Sequence, residues 1–492
     1  MVLSDVDLYT VEVRVKLKTW MRLAITLSLA AVAGVQLAQT NRLPDQLSDQ
    51  EFWRMVTELS EPSGPYTGDN WISNEASIQD VIIPLRQLAK PGGVYMGVGP
   101  EQNFTYMWAL QSKMGFVIDI RRQNMLEILM LKTLFEISPT RADYVANLFS
   151  RRRPEGVDTN TNVKALMAAF ASAPSEGLSK NVETVRATLM KHGFTLSAAD
   201  LTRISFVQET FNRGGLGIVA EYASPGSPGG VPVTFVDLMT ATDRNGQPWS
   251  FLSSETAYQY IKELHRKNLI IPLVGDFAGP TAIRKVGDYV RQRNANVAAF
   301  YMSNVEYYLN GPTMKAFQAN LATLPIDTSS MLIRWSPRPT IQYVPWFTPD
   351  LGIVATIIQP ASEYVDLIKA NKAPATFPDV LRATKNPVAV AAAFQDPSLR
   401  RVRGNVVGIS GLKPNETIQV ELLEGLRANG LIISADVAPD GSFEVRNVSP
   451  RTYQAIVLRT CDGCRTQRIA ATPVNVVVGD KDVMDLRLTF IP

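Results

Sequence analysis

Apolar positions follow two alternating rhythms through most of the first two thirds of the chain. Short unbroken apolar runs, the mark of strands buried on both faces, alternate with stretches whose apolar residues recur three and four apart, the mark of amphipathic helices. Residues 94–124, VYMGVGPEQNFTYMWALQSKMGFVIDIRRQN, show the unit most clearly. Val94, Tyr95 and Met96 lead into Gly97-Val98-Gly99-Pro100; residues 103–113 can make about three helical turns; and Phe116 to Ile118 form a second apolar run closed by Asp119. Further strands are expected at 232–239, 269–274, 297–303 and 330–335, with helices at 256–268, 281–294 and 314–324. Strands alternating with helices of this length imply an α/β fold with a doubly wound, mostly parallel, Rossmann-like sheet.

Other segments depart from that rhythm. Residues 139–222 carry only helical periodicity, too long for one crossover, and are expected to be a helical insertion or cap. Upstream, Ser48-Asp49-Gln50-Glu51 has the form of a capping box opening a helix, and residues 75–88 place Ile78, Val81, Ile82, Leu85 and Leu88 on one helical face. Between them lies a loop, residues 61–74, rich in Gly, Pro, Asp and Asn, the kind that closes over a ligand site or merely connects. The α/β domain is thus expected over 45–336. Residues 337–400 are rich in Pro and Ala and read as an irregular connector. From 401 to 492 the chain becomes short alternating strands split by Gly, Pro and Asp turns, a small all-β sandwich.

The first residues carry an address. Residues 23–37 are almost free of charge, follow Lys16, Lys18 and Arg22, and contain the small-x-small step Ala31-Val32-Ala33. A run this short falls below the roughly 20 residues a membrane helix needs, so 1–38 reads as a signal peptide, with Met21 the better start. The mature chain is expected to be exported to the periplasm or beyond, with no transmembrane helix. In that compartment the two cysteines, Cys461 and Cys464, can form a local disulfide. One CxxC does not complete a zinc site, and the two histidines, His192 and His265, lie far from it; His265, in YIKELHRKN, is expected on the surface. No metal site is expected, and a Ser-His-Asp triad has little to draw on. A net charge of +3 on 492 residues offers no electrostatic case for nucleic acid.

Candidate chemistry gathers where strands end. From Gly97 to Asp119 is 22 residues, the spacing of a nucleotide-binding βαβ unit in which a glycine turn approaches the ligand and an acid takes the ribose hydroxyls. The third glycine of that fingerprint is absent, and Glu101, Gln102 and Asn103 stand in its place, which favours a nucleoside-type ligand over a dinucleotide. Polar residues recur at the other strand ends: Asp119 to Asn124, Gly275-Asp276, and Ser303 to Glu306. Arg121, Arg122 and Asn124 could hold an anionic group, or could cap and solvate the loop.

Two resemblances bear on function. The motifs Arg403-Gly404-Asn405-Val406-Val407, Asp440-Gly441-Ser442-Phe443 and Asn447-Val448-Ser449-Pro450-Arg451-Thr452-Tyr453 resemble the carboxypeptidase regulatory-like domain, with Arg451-Thr452 replacing its usual glycine before the tyrosine. That resemblance implies a non-catalytic module of exported proteins, and with it a cell-envelope partner. The core resembles the class I S-adenosylmethionine-dependent methyltransferase fold. In detail GVGPEQNFTY, VIDIRRQN, LVGDFAGP and YMSNVEYYL resemble an uncharacterised family of bacterial proteins with this core. The resemblance implies S-adenosylmethionine as cofactor on Gly97, Gly99 and Asn103, with Asp119 as ribose acid and Asp276 at the end of a fourth strand. Met96, where an acid is common, and the long insertion after Asp119 depart from the pattern.

Two functional readings follow. In the first the protein is an enzyme, with Glu101 or Asp276 as general base and Arg121, Asn124, Asn304 and Glu306 lining the substrate side; methyl transfer needs mainly positioning. In the second it is a non-catalytic exported binding protein that reuses the pocket for a small cell-envelope ligand. Export favours the second, because S-adenosylmethionine is a cytoplasmic cofactor.

Overall fold

The computed structural model describes residues 42–66, 68–220, 233–243, 246–337, 354–383, 400–412, 416–423, 432–448, 450–461, 468–469 and 471–491. The expected leader over 1–38, with Met21, lies outside them, as does Cys464; Cys461 closes a strand. Among the described residues no helix is long and apolar enough to cross a membrane.

The chain enters through α1 (Asp49–Glu58), capped by reciprocal bonds between Ser48 and Glu51 as the sequence predicts. The helix expected over 75–88 is divided. A single tight turn (Ala76–Gln79) is followed by α2 (Ile82–Leu88). The break leaves the apolar face intact, since Ile78, Val81, Ile82 and Leu85 are all buried.

Then come β1 (Val94–Gly97), α3 (Gln102–Leu110), β2 (Met114–Asp119) and α4 (Arg122–Ile137). The insertion folds as expected into α5 (Arg141–Phe149), α6 (Val163–Ala171), α7 (Leu178–Lys191) and α8 (Ala198–Gly214). Residues 232–239 correct the reading. They hold a helix, α9 (Phe235–Thr240), and not a strand, because Thr234 and Asp237 form a capping box at its start. The sheet resumes after α10 (Glu255–Arg266) with β3 (Ile270–Val274), α11 (Ala282–Arg291), β4 (Val297–Ser303), the short α12 (Val305–Tyr308), α13 (Gly311–Leu321) and β5 (Met331–Pro337). The span read as an irregular connector contains β6 (Val354–Pro360), α14 (Ala361–Lys369) and α15 (Phe377–Ala383).

The six strands form one sheet in the order β3-β2-β1-β4-β5-β6. All pairs are parallel except β5 with β6, which is antiparallel. Strand order reverses between β1 and β4, so this is a doubly wound sheet with its switch point there. Helix α10 packs on both α3 and α4, and α11 packs on α13. Helix α4 is almost wholly buried, its polar Asn124, Glu127 and Lys132 included. It is held by the sheet and by α5, α7, α8 and α10.

The remaining strands build two further sheets: β7 (Arg400–Val407), β10 (Ser442–Val448) and β14 (Val483–Thr489) in one; β8 (Glu416–Leu423), β9 (Ile432–Asp436), β11 (Thr452–Cys461), β12 (Arg468–Ile469) and β13 (Val474–Val477) in the other. Their inward residues, among them Val402, Val420, Val445, Val457 and Leu488, make a core of their own.

Candidate functional site

The glycine turn after β1 is built by amide side chains. Gly99 has φ +79°, a conformation that glycine adopts without cost. A Cβ on Gly97 would lie 1.9 Å from Asn103 Oδ1, so a side chain there would expel Asn103. The Asn103 amide donates to the carbonyls of Val98 (3.1 Å), Gly99 (3.0 Å) and Pro100 (2.7 Å) and accepts from the Tyr95 hydroxyl (2.9 Å). Gln102 and Asn124 also donate, to the carbonyls of Val98 and Gly99 respectively. Three of the residues expected to face a cofactor, Gly97, Gly99 and Asn103, are thus engaged with one another.

Asp119 ends β2 as expected and is buried. Its two carboxylate oxygens accept from Arg121 Nε and Nη2, each at 2.9 Å, and the Arg121 backbone amide adds a third bond at 2.9 Å. Arg121 also donates to the carbonyls of Gly68 and Asp69 and lies over the Tyr66 ring. The neighbouring Arg122 grips Asp200 of α8 with two bonds, of 2.7 and 2.9 Å, and that pairing holds the Asp200 carboxyl down at about 2. The two arginines therefore tie β2 to the loop above it and to the helical insertion.

That loop is a strap. Its described residues, 60–66 and 68–79, touch the carboxyl ends of strands across the sheet. Glu61 bonds the Val274 carbonyl through its amide (2.8 Å), and its carboxylate accepts from the amides of Asp276, Thr281 and Ala282 at the start of α11. Gly64 bonds the Ile120 carbonyl at 3.0 Å. Glu75 accepts from the hydroxyl of Ser303, the last residue of β4, and Ser77 shares a 3.0 Å bond with Thr356 in β6. The Gly/Pro-rich loop thus runs across the strand ends.

Near the turn and in the helices α4, α5 and α8 lie several buried polar atoms without a geometrically good hydrogen bond. Glu101, the residue preceding α3, is buried, and its carboxylate oxygens are only loosely approached by the backbone amides of Ser73 and Glu101 itself; burial pushes the group up to about 8. Glu127 on α4 is fully buried with neither oxygen bonded, and burial, followed by repulsion from Glu101, raises it well above the carboxylate range. The Asn124 Oδ1, the Tyr144 hydroxyl of α5 and both amide atoms of Gln208 on α8 are likewise buried and unbonded. Tyr144 lies within the electrostatic reach of both glutamates. A second buried acid, Glu75, sits near the switch point among Tyr95, Tyr106 and Tyr301, and burial raises it to about 7.

The other expected site residues are elsewhere engaged. Asp276 follows the third strand rather than a fourth, on the sheet edge, and accepts from the Ala278 amide at 2.9 Å. Glu306 is fully buried against the fully buried Arg334, which also bonds Gln359. Asn304 precedes α12 and stands beside Ser303. His265 corrects the surface expectation: it is buried on the apolar face of α10 with Ala257, Tyr258, Ile261 and Leu264, packed on Phe104 and Phe135. Among the described residues no group of three or more His, Cys, Asp or Glu side chains could hold a metal. Glu127, Tyr144, Gln208 and Glu75 escaped the sequence reading. The one available signal was Glu127, an acid inside the apolar run MLEILMLKTLF.

A family model described as "Domain of unknown function (DUF7790)" matches residues 70–395, more than half of the chain. A search of curated proteins found no match. Among solved structures, the CcbJ methyltransferase from Streptomyces caelestis aligns at 7% identity over 84% of this chain and 81% of that one, with a TM-score of 0.19. The family 15 glucoamylase from Hypocrea jecorina aligns at 10% identity over 95% and 66%, with a TM-score of 0.15. Overlaps this slight say nothing about activity.

Proposed function

The chain belongs to the DUF7790 family, and from that premise we propose that its α/β core is a methyltransferase-like fold adapted to bind a small polar ligand beside the glycine turn. The observation that carries this reading is the pair of buried, unbonded glutamates, Glu101 and Glu127, next to the turn. Buried polar groups in folded proteins are almost always bonded, and a ligand supplies the missing partners. Asn124 and Tyr144 offer an oxygen each on the same side. Asp276, Asn304 and Glu306 stand outside this set.

As arranged, the residues do not fit S-adenosylmethionine. Both oxygens of Asp119, the expected ribose acid, are taken by Arg121, and the strap lies over the end of β2. The pairing favours the non-catalytic reading, an exported binding protein in which the C-terminal sandwich meets a cell-envelope partner. The enzymatic reading keeps one point in its favour. The strand order, with a glycine turn after β1 and an antiparallel last strand, suits a nucleoside site at the switch point, with Glu101 poised as base.

Calorimetric titration of the full chain with S-adenosylmethionine and S-adenosylhomocysteine separates the two. The binding-protein reading expects no heat from the folded wild type or from Arg121→Gln, in which Asp119 is released. Micromolar binding that Arg121→Gln tightens and Asp119→Asn abolishes would overturn it in favour of the enzyme.

A further inference from the structure

Helix α4 brings Asn124 and Glu127 to one face, one turn apart. Asn124 Nδ2 is fixed on the Gly99 carbonyl at 3.2 Å, which turns its Oδ1 away from that bond, and the oxygen meets no donor. Glu101 stands two residues beyond Gly99, at the start of α3. The Asn124–Gly99 bond thus sets the Glu127 turn of α4 near the start of α3, where the two carboxyls are close enough to repel one another and Tyr144 close enough to feel both. The nearest cation, Arg121, is already saturated by Asp119 and two carbonyls. The two glutamate carboxyls and the Asn124 oxygen are thus buried with no side-chain donor opposite them.

Acceptors of this kind, so concentrated, call for a cation that carries its own hydrogen-bond donors. A bare divalent metal takes six or more oxygens, and the described side chains do not assemble a metal-binding group. We propose that Glu101, Glu127 and Asn124 form a recognition site for the ammonium group of a small primary amine, with Tyr144 at its rim. This proposal rests on the small-ligand reading above and names the chemistry of that ligand. Glu101 comes from the glycine turn and Asn124 and Glu127 from α4, and the helical insertion contributes Tyr144 at the rim. Burial favours the protonated form of both carboxyls in the empty site and an ammonium favours the ionised form, so binding is expected to release protons to the buffer.

The test titrates the full chain with methylammonium chloride and with 1,4-diaminobutane dihydrochloride, against potassium chloride and tetramethylammonium chloride at equal ionic strength. Melting temperature is followed alongside calorimetric heat in two buffers of different ionisation enthalpy. The expected result is stabilisation by the two primary amines alone, with a heat that changes between buffers as protons leave. Glu127→Gln, which keeps the side-chain shape, is expected to weaken the amine by more than about tenfold, the scale of one charge-assisted hydrogen bond. Glu101→Gln should act alike and Tyr144→Phe more mildly. Equal effects from all four salts, no effect from the amines, or amine binding unchanged in Glu127→Gln would each overturn the proposal. The S-adenosylmethionine titration is a separate readout, so the amine site and the reading beneath it can fail independently.

Discussion

A carboxyl group that folds into a place without partners leaves its mark on stability. Glu101, pushed up to about 8 by burial, binds its proton more tightly folded than unfolded, where the ordinary value is about 4.3. The sign follows from linkage: the folded state holds the extra proton between those two values, so stability falls as pH rises from about 4.3 towards 8. Glu127 adds to the same slope. Glu101→Gln and Glu127→Gln are expected to flatten it and to raise the melting temperature at pH 8 in the absence of ligand. Urea titrations at pH 5 and pH 8 check this; a slope unchanged in both variants would refute it. His192 contributes a slope of the same sign, though by a stabilising pairing that is lost rather than a burial penalty that grows. Its ring nitrogens meet Glu136 at 2.7 Å and Asp49 at 2.8 Å, and the bond to Glu136, with help from Asp49, raises its value above the usual 6.5. The stabilisation is complete below about 6.5 and fades as pH climbs through the folded value. The side chains are partly exposed, so His192→Gln should cost ~1 kcal/mol or less at pH 6 and nothing by pH 9. At this scale the sequence was partly legible. Ser48 and Glu51 announced their cap, and Asp119 announced the end of a strand. Nothing along the chain announced that Arg121, two residues on, would turn back and take both oxygens of Asp119. His265 was misread because its sequence neighbours are polar while its helical neighbours, Ile261 and Leu264, are not.

Among elements, the strap and the buried ion pair of the sheet make the sharpest predictions. The Glu61 carboxylate acts as an N-terminal cap for α11, supplied from a distant part of the chain, and a Cβ on Gly279 would lie 2.1 Å from it. Glu61→Ala should cost about 1–2 kcal/mol and speed hydrogen exchange in the first turn of α11 and in the strap; loss of stability without faster exchange there would count against this role. Glu306→Ala strands the buried Arg334 and should cost about 3–5 kcal/mol, measured by denaturant titration. A variant that stays stable and loses only ligand affinity would return Glu306 to the pocket. Elements with a single strong signal were read correctly, including β1 through β2 and the all-helical insertion. Residues 232–239 failed because a run of apolar residues this short suits either state, and the Thr234–Asp237 cap that decides it was overlooked. β6 was missed because it is flanked by Pro- and Ala-rich sequence. Its strand state comes from pairing with β5, a long-range contact with no local sign.

Across the described residues, the buried hydrophobic side chains form two separate clusters, one in the six-stranded core and its helices, the other inside the C-terminal sandwich. Two cores of this kind unfold as separate cooperative units, so calorimetry of the full chain should resolve two transitions. Amine ligands should move only the one that belongs to the core. A single transition shifted as a whole would show that the two cores are energetically one.

The strap also sets a timetable. It is made early, yet its anchors lie far ahead along the chain: Glu75 must wait for Ser303, 228 residues on, and Ser77 for Thr356, 279 residues on. The strap's near end can close early, Gly68 and Asp69 on Arg121, 53 and 52 residues on, but its far end waits until the ribosome has nearly completed the sheet. Closure is then a late event of high contact order, slow for that reason, and until it happens the carboxyl ends of the strands stay open to water and to any small molecule of the compartment. A ligand present while the chain is being made could be enclosed at that moment rather than admitted afterwards.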